Sequence, residues 1–212
     1  MESIAAVHDW PPASREQAPK ELRSRSRMLK VFATRLAACK GPALRQAAAQ
    51  IFLLESDLAR NVVGALRIDA EAIEAIDVHP LGRVMIVAGP QASTLRIAVH
   101  VAACAAAGNS VSLALTSTPS RQTLELVDSL RALGLEVLDW ATPDSDGRWA
   151  ALPDDLNVAI LTRTHVSVES QPPVNCPGDC GEVRSRTAMI RLYSDSLSYR
   201  VPIIVCAPID PA

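Results

Sequence analysis

Five short apolar runs constrain most strongly what this chain can fold into. They are "GRVMIVAGP" at 82–90, "NSVSLAL" at 109–115, "LEVLDW" at 135–140, "NVAILT" at 157–162 and "RVPIIVCAP" at 200–208. Each is rich in β-formers and bounded by turn residues, and helical stretches over about 92–107 and 118–133 separate the first three. Parallel strands cannot be joined by a tight turn; they need a crossover of a dozen or so residues, usually a helix. Nearly continuous apolar strands alternating with helices therefore predict a parallel sheet covered on both faces. The expected fold class is α/β, a doubly wound (Rossmann-like) parallel sheet of about five strands preceded by an N-terminal helical segment. In the second crossover, Thr118 is the expected N-cap, Pro119 the first helical residue and Gly134 the C-terminal stop.

The stretch ahead of the first run is helical in pattern. Leu29, Phe32, Ala33 and Leu36 recur at i, i+3, i+4 and i+7, one face of an amphipathic helix. Gly41-Pro42 ends it, and further helices are expected over about 43–65 and 69–77. Residues 1–20, rich in Pro and polar groups, read as a flexible arm, 21–77 as a helical segment packed on the sheet, and 78–212 as the α/β domain. The stretch 163–181, "RTHVSVESQPPVNCPGDCG", reads as a loop or hairpin flap, and the whole as one compact unit.

Composition narrows the function classes. With 212 residues, 49% hydrophobic but only 3% aromatic, the chain can bury a core built from Ala, Leu, Val and Ile. Its 21 basic and 23 acidic residues leave a net charge of −2, which provides no electrostatic footprint for nucleic acid. The cluster Arg23, Arg25, Arg27 and Lys30 reads as a solvated helix face. The N-terminus has neither a basic region nor the apolar run of a secretory signal. No segment reaches the roughly 18 apolar residues of a membrane span. Five cysteines at scattered positions disfavour a disulfide framework, so a reducing cytoplasm is the expected compartment.

In a doubly wound sheet, ligands bind at the carboxyl ends of the strands, here the loops 88–94, 114–119, 141–147 and 162–170. Neither G-x-G-x-x-G nor G-x-x-x-x-G-K-[ST] occurs. "GPQAST" at 89–94 could offer backbone donors at a helix start, although a structural turn is the simpler reading. Cys176 and Cys180 form a lone C-x3-C pair; a zinc site needs four ligands, and only the fold could recruit Cys206 or His165. Cys104, on an alanine-rich helix, reads as a small core residue. The histidines at 8, 79, 100 and 165 share no motif spacing, and Asp144/Asp146 and Asp154-Asp155 read as turn and cap chemistry. No triad and no metal site assembles from these residues.

Taken in order, "PLGRVMIVAGPQAST" at 80–94 and "AAAGNSVSLALTSTP" at 105–119 resemble the cofactor half of the aldehyde dehydrogenase superfamily. They are similar to that family's P-x-G-V-x-x-x-I-x-P-W-N-x-P and A-A-G-N-x-V-V-x-K-P-S-E-x-x-P. "LTRTHV" can be laid on F-T-G-S-x-x-V, and "SLSYRVPIIV" on E-L-G-G-K-x-P-x-I-V. The resemblance implies a vestigial cofactor cleft at Pro90, Ala92, Ala114, Thr116, Ser117, Thr162 and Arg163. The family's oxyanion-donating Asn falls on Ala92, a loss of about 2.7–4 kcal/mol of transition-state stabilisation. Its ribose-binding Lys and Glu fall on Ala114 and Ser117, which cannot make those charge-assisted bonds. The Gly-Ser beside the pyrophosphate falls on Arg163-Thr164, the general-base Glu on Ser196, and the two glycines on Ser198 and Tyr199. In the family the catalytic Cys lies in a further domain, after this half.

The resemblance therefore implies a chain without catalytic residues, acting as a noncatalytic interaction, lid or oligomerisation module. Its partner would be a second copy or a full-length dehydrogenase, with neither nucleic acid nor membrane involved. The alternative is an NAD(P)-binding aldehyde oxidoreductase component completed by another chain; a truncated product with an exposed domain interface is a third reading. No cofactor is expected on the first reading, and NAD or NADP would bind weakly on the second.

Overall fold

The structure, a computed structural model, describes residues 13–62, 65–68, 72–89, 91–139, 156–163, 165–168, 174–175 and 183–202. Two helices come first, α1 (Ala13–Ala38) and α2 (Pro42–Val62). Pro42 opens α2, where its missing N–H costs nothing. The predicted face of α1 is the buried one: Leu29, Phe32, Ala33 and Leu36 are all at most 1% exposed. They share a core with Leu44, Ala47, Ile51 and Leu54 of α2. The helix begins at Ala13, inside the stretch expected as an arm.

The strands that follow are β1 (Ala65–Ile68), β2 (Ala72–Pro80) and β3 (Arg83–Ala88). After α3 (Thr94–Ala106) come β4 (Ser110–Leu115), α4 (Arg121–Arg131) and β5 (Glu136–Asp139). The rest comprises β6 (Leu156–Leu161), β7 (His165–Val168), β8 (Val174–Asn175), α5 (Val183–Arg191) and β9 (Ser194–Pro202). The main sheet has the order β5-β4-β3-β6-β7-β8. The first four strands are parallel; β7 and β8 extend the sheet antiparallel. The fold class is the expected one, mixed α/β and Rossmann-like, with N-terminal helices and a parallel-dominated sheet. β3 lies at the middle, with β4 on one side and β6 on the other, so the chain reverses direction across the sheet beside β3.

Alternation along the strands separates two layers. Val84, Ile86, Leu113, Leu115, Ala159 and Leu161 pack into one core with buried residues of all five helices. Met85, Val87, Ala114 and Val158 point the other way and form a second buried cluster, made of strand residues alone among the described residues. Helices on both faces were expected from the sequence; among the described residues they line one.

Three other expectations change. Residues 69–77 were expected as a helix, but 72–80 is the strand β2, paired antiparallel with β1 and, over nine residues, with β9. "AIEAIDV" places Ile73 and Ile76 three apart, as a helix would, yet its β-branched residues also suit a strand. Pairing on both edges, locally with β1 and at long range with β9, decides between the two. The fifth apolar run does not join the parallel sheet: its described part, Arg200–Pro202, ends β9 in a separate three-stranded sheet of order β1-β2-β9. Residues 203–208 lie outside the described residues. Finally, α4 begins later than predicted. Its N-cap is Ser120, whose side chain accepts from the Thr123 N–H, and not Thr118.

Within 163–181, β7 and β8 pair His165 with Asn175 and Val166 with Val174, the hairpin alternative. Cys176 and Cys180 lie outside the described residues. No described helix is long and apolar enough to cross a membrane.

Candidate functional site

The carboxyl ends of β3 and β4 are fastened together. Both the backbone N–H and the hydroxyl of Thr116 donate to the Ala88 carbonyl, at 3.1 and 3.0 Å. Gly89 donates to the Leu161 carbonyl at 3.0 Å, and a β-carbon at Gly89 would stand 3.0 Å from that oxygen. Glycine therefore lets β3 leave the sheet hard against β6. The chain then turns, Ala92 N–H to Gly89 carbonyl at 3.0 Å, and enters α3 capped by Ser93, which accepts from the Arg96 N–H at 3.2 Å.

The starts of α3 and α4 lie side by side. The Thr94 hydroxyl is 2.8 Å from that of Thr123, which is 2.9 Å from that of Ser120. Gln122 reaches across to accept from the Ala43 N–H at 3.3 Å, bringing the start of α2 to the same place. Between these three helix N-termini opens a cleft of about 470 Å³. Gly89, Gln91, Ala92 and Thr94 form one wall; Ser117, Thr118, Ser120 and Gln122 form another, with Ala43 at the rim. No charged side chain lines it among the described residues. Helix geometry leaves the first N–H groups of α3 and α4, those of Thr94, Leu95, Arg121 and Gln122, without intrahelical acceptors. The aligned peptide dipoles make both ends partially positive, so the cleft's only built-in electrostatic preference is for an anion.

The expected cleft positions divide. Ala92 and Ser117 line the cleft. Thr116 sits beneath it, its hydroxyl committed to Ala88. Ala114 is wholly buried in the cluster on the opposite face of the sheet. Thr162 makes the β6–β7 turn, its hydroxyl accepting from the His165 N–H and donating to the His165 carbonyl, each at 3.1 Å. Arg163 is exposed in that turn, and neither residue lines the cleft. Pro90 and Thr164 lie outside the described residues. Ser196, Ser198 and Tyr199 are on β9, in the sheet that does not carry the cleft. Thr94 falls in the "GPQAST" stretch that the sequence offered as backbone donors, whereas Ser120, Gln122 and Thr123 were missed. The Ser-x-x-Thr spacing of "SRQT" at a helix start was the available signal.

The buried titratable groups His100 and Cys104 lie away from the cleft. His100 is completely buried on α3, with Nδ1 2.8 Å from the Tyr193 hydroxyl. Burial, and secondarily the charge of Arg96, pushes its pKa down to about 3, so it is neutral at physiological pH. Burial pushes the Cys104 thiol up, against a smaller opposing effect of Asn109, which keeps it protonated and poorly nucleophilic. Cys39 is half-buried on α1. Among the described residues, no three His, Cys, Asp or Glu side chains gather as a metal site would require.

No family model and no curated protein sequence matches this chain. Solved structures do. Succinic semialdehyde dehydrogenase from Streptococcus pyogenes, in complex with NADP+, is similar with a TM-score of 0.50 at 11% identity, over 66% of this chain and 35% of that one. NAD-dependent aldehyde dehydrogenase from Sinorhizobium meliloti aligns over 66% of this chain and 32% of its own, at 17% identity and TM-score 0.48. Salicylaldehyde dehydrogenase from Pseudomonas putida G7 aligns over 59% and 31%, at 15% identity and TM-score 0.48. The chain has, in part, an aldehyde dehydrogenase-like fold. The aligned region is about a third of the length of those enzymes.

Proposed function

We propose that this chain is a noncatalytic aldehyde dehydrogenase-like module whose cleft receives the phosphate-bearing part of an NAD(P)-type ligand. The observation that carries this reading is the open cleft at the converging N-termini of α2, α3 and α4. The N–H groups of Thr94 and Gln122, which line the cleft, would hold phosphate oxygens, with the Thr94 and Ser120 hydroxyls beside them. The adenosine ribose is less well served: Ser117 is short and neutral, and Ala114 is buried away from the cleft. Affinity is then on the order of 0.1–1 mM, the range of a few hydrogen bonds without charged clamps. The nicotinamide of such a ligand can accept a hydride. The described cleft offers neither a thiolate to form a thiohemiacetal nor a carboxylate base, so this chain's own residues bind and orient.

A second reading, a protein-interaction module, is favoured by Phe52 and Leu53, adjacent large apolar residues on α2 that are 42% and 41% exposed. Calorimetric titration with NAD+ and with NADP+ separates the two. The first reading predicts weak saturable binding that Gln122→Ala alters. A flat titration at millimolar cofactor overturns it, and a dimer or hetero-complex by light scattering would then support the second.

A further inference from the structure

The chain passes between the three-stranded sheet and the rest of the molecule at 62–65, 80–83 and 192–194. One buried side chain holds the last two of these crossings. The amide oxygen of Asn109 accepts from the Gly82 N–H at 2.9 Å. Its nitrogen donates to the Tyr193 carbonyl at 2.8 Å and to the Cys104 carbonyl, in the last turn of α3, at 3.0 Å. Further fasteners flank it, the first being the Ser110 N–H, which donates to the Gly82 carbonyl at 2.8 Å. Asn157 on β6 donates to the Leu81 carbonyl at 3.0 Å, and the Tyr193 hydroxyl meets His100 on α3 at 2.8 Å. The three-stranded sheet is, by contrast, continuous within itself: β2 and β9 pair without a break from Ala72↔Pro202 to Pro80↔Ser194.

We infer that the sheet β1-β2-β9 is an arm that opens as a unit, and that Asn109 is the latch that keeps it closed. A segment with strong internal pairing and, among the described residues, few fasteners to the body is the kind that unfolds or detaches cooperatively, below the free energy of global unfolding. Asn109 suits the role because it joins two crossings that are far apart in sequence, and because every polar atom of its amide is engaged. Opening the arm exchanges the bonds to Gly82 and Tyr193 for water, while the one to Cys104 stays within the body. Removing the side chain takes a buried donor from the Tyr193 carbonyl and from the closed state, which tilts the balance towards opening.

Hydrogen exchange of the full chain, followed by mass spectrometry, tests this. Asn109→Ala should speed exchange in 72–80 and 194–202 by about tenfold or more, the loss of at least one buried hydrogen bond, while 94–106 and 110–115 keep their protection. Asn157→Ala, which releases one crossing only, should give the same regional pattern at smaller amplitude. If Asn109→Ala does not fold, Asn157→Ala and Tyr193→Phe carry the same test. Equal acceleration across both sheets, or none in the arm, overturns the inference.

Discussion

Asn109 stands in the stretch "AAAGN" that carries most of the resemblance to aldehyde dehydrogenases, and its work is structural. It lies at the amino end of the parallel strands, across the sheet from the cleft, with its amide wholly committed. A residue's type and spacing were enough to locate this turn, but its three partners, up to 84 residues away, were not readable. The same holds for His100, whose neutrality depends on burial and on the charge of Arg96. The pKa of His100 is about 3 in the folded protein, against 6.5 ordinarily. Below pH 6.5 the unfolded chain takes up a proton that the folded chain refuses, so this contribution is present above 6.5 and is lost as pH falls towards 3. The loss runs at up to about 1.4 kcal/mol per pH unit, or roughly 2 kcal/mol between pH 6.5 and 5. Urea denaturation at both pH values should show that drop in the native chain and a drop smaller by about that amount in His100→Gln. Equal drops would mean that His100 is not the group responsible.

At the scale of elements, the helix ends were the best-marked features. α3 and α4 both close on a left-handed glycine, Gly108 (φ +100) and Gly134 (φ +78). Each has the same pair of reverse bonds: Gly108 to Ala105 with Asn109 to Cys104, and Gly134 to Arg131 with Leu135 to Leu130. The two positions differ in their surroundings. A β-carbon at Gly134 meets nothing within 4 Å, whereas one at Gly108 would collide with the Arg25 guanidinium, which also donates to the Ala107 carbonyl at 3.3 Å. Gly134→Ala should therefore cost only the left-handed penalty, about 1 kcal/mol, and Gly108→Ala a little more, about 1–2 kcal/mol, because the flexible end of Arg25 must swing away and give up its bond to Ala107. Chemical denaturation measures both; equal costs would show that Arg25 gives way freely. β2 was the least legible element. Its sequence suits either a helix or a strand, and its partner β9 is more than 100 residues distant, so only tertiary pairing fixes its state.

On the scale of the whole molecule, the alternation of apolar runs and helices was sufficient to predict the parallel core. It could not assign the last run to a second sheet, because nothing local distinguishes a strand of one sheet from a strand of another. The cleft was legible as a location, at the carboxyl ends of β3 and β4, through the rule that ligands bind there. Its chemistry was less so. Ala114, expected in the cleft, points to the far face because it sits between Leu113 and Leu115, which face the helices. Thr94, Ser120 and Thr123 come together only when two helix starts meet.

Among the described residues, the scaffold has an anion-friendly cleft and no charged side chain lining it to grip a whole dinucleotide. Amide chemical-shift mapping during a titration with NADP+ tests that view most directly. Saturable shifts at Thr94, Ser120 and Gln122, with little change at Thr162 and Arg163, are the predicted result. Shifts centred on Thr162 and Arg163, or none at the starts of α3 and α4 at millimolar NADP+, would contradict it.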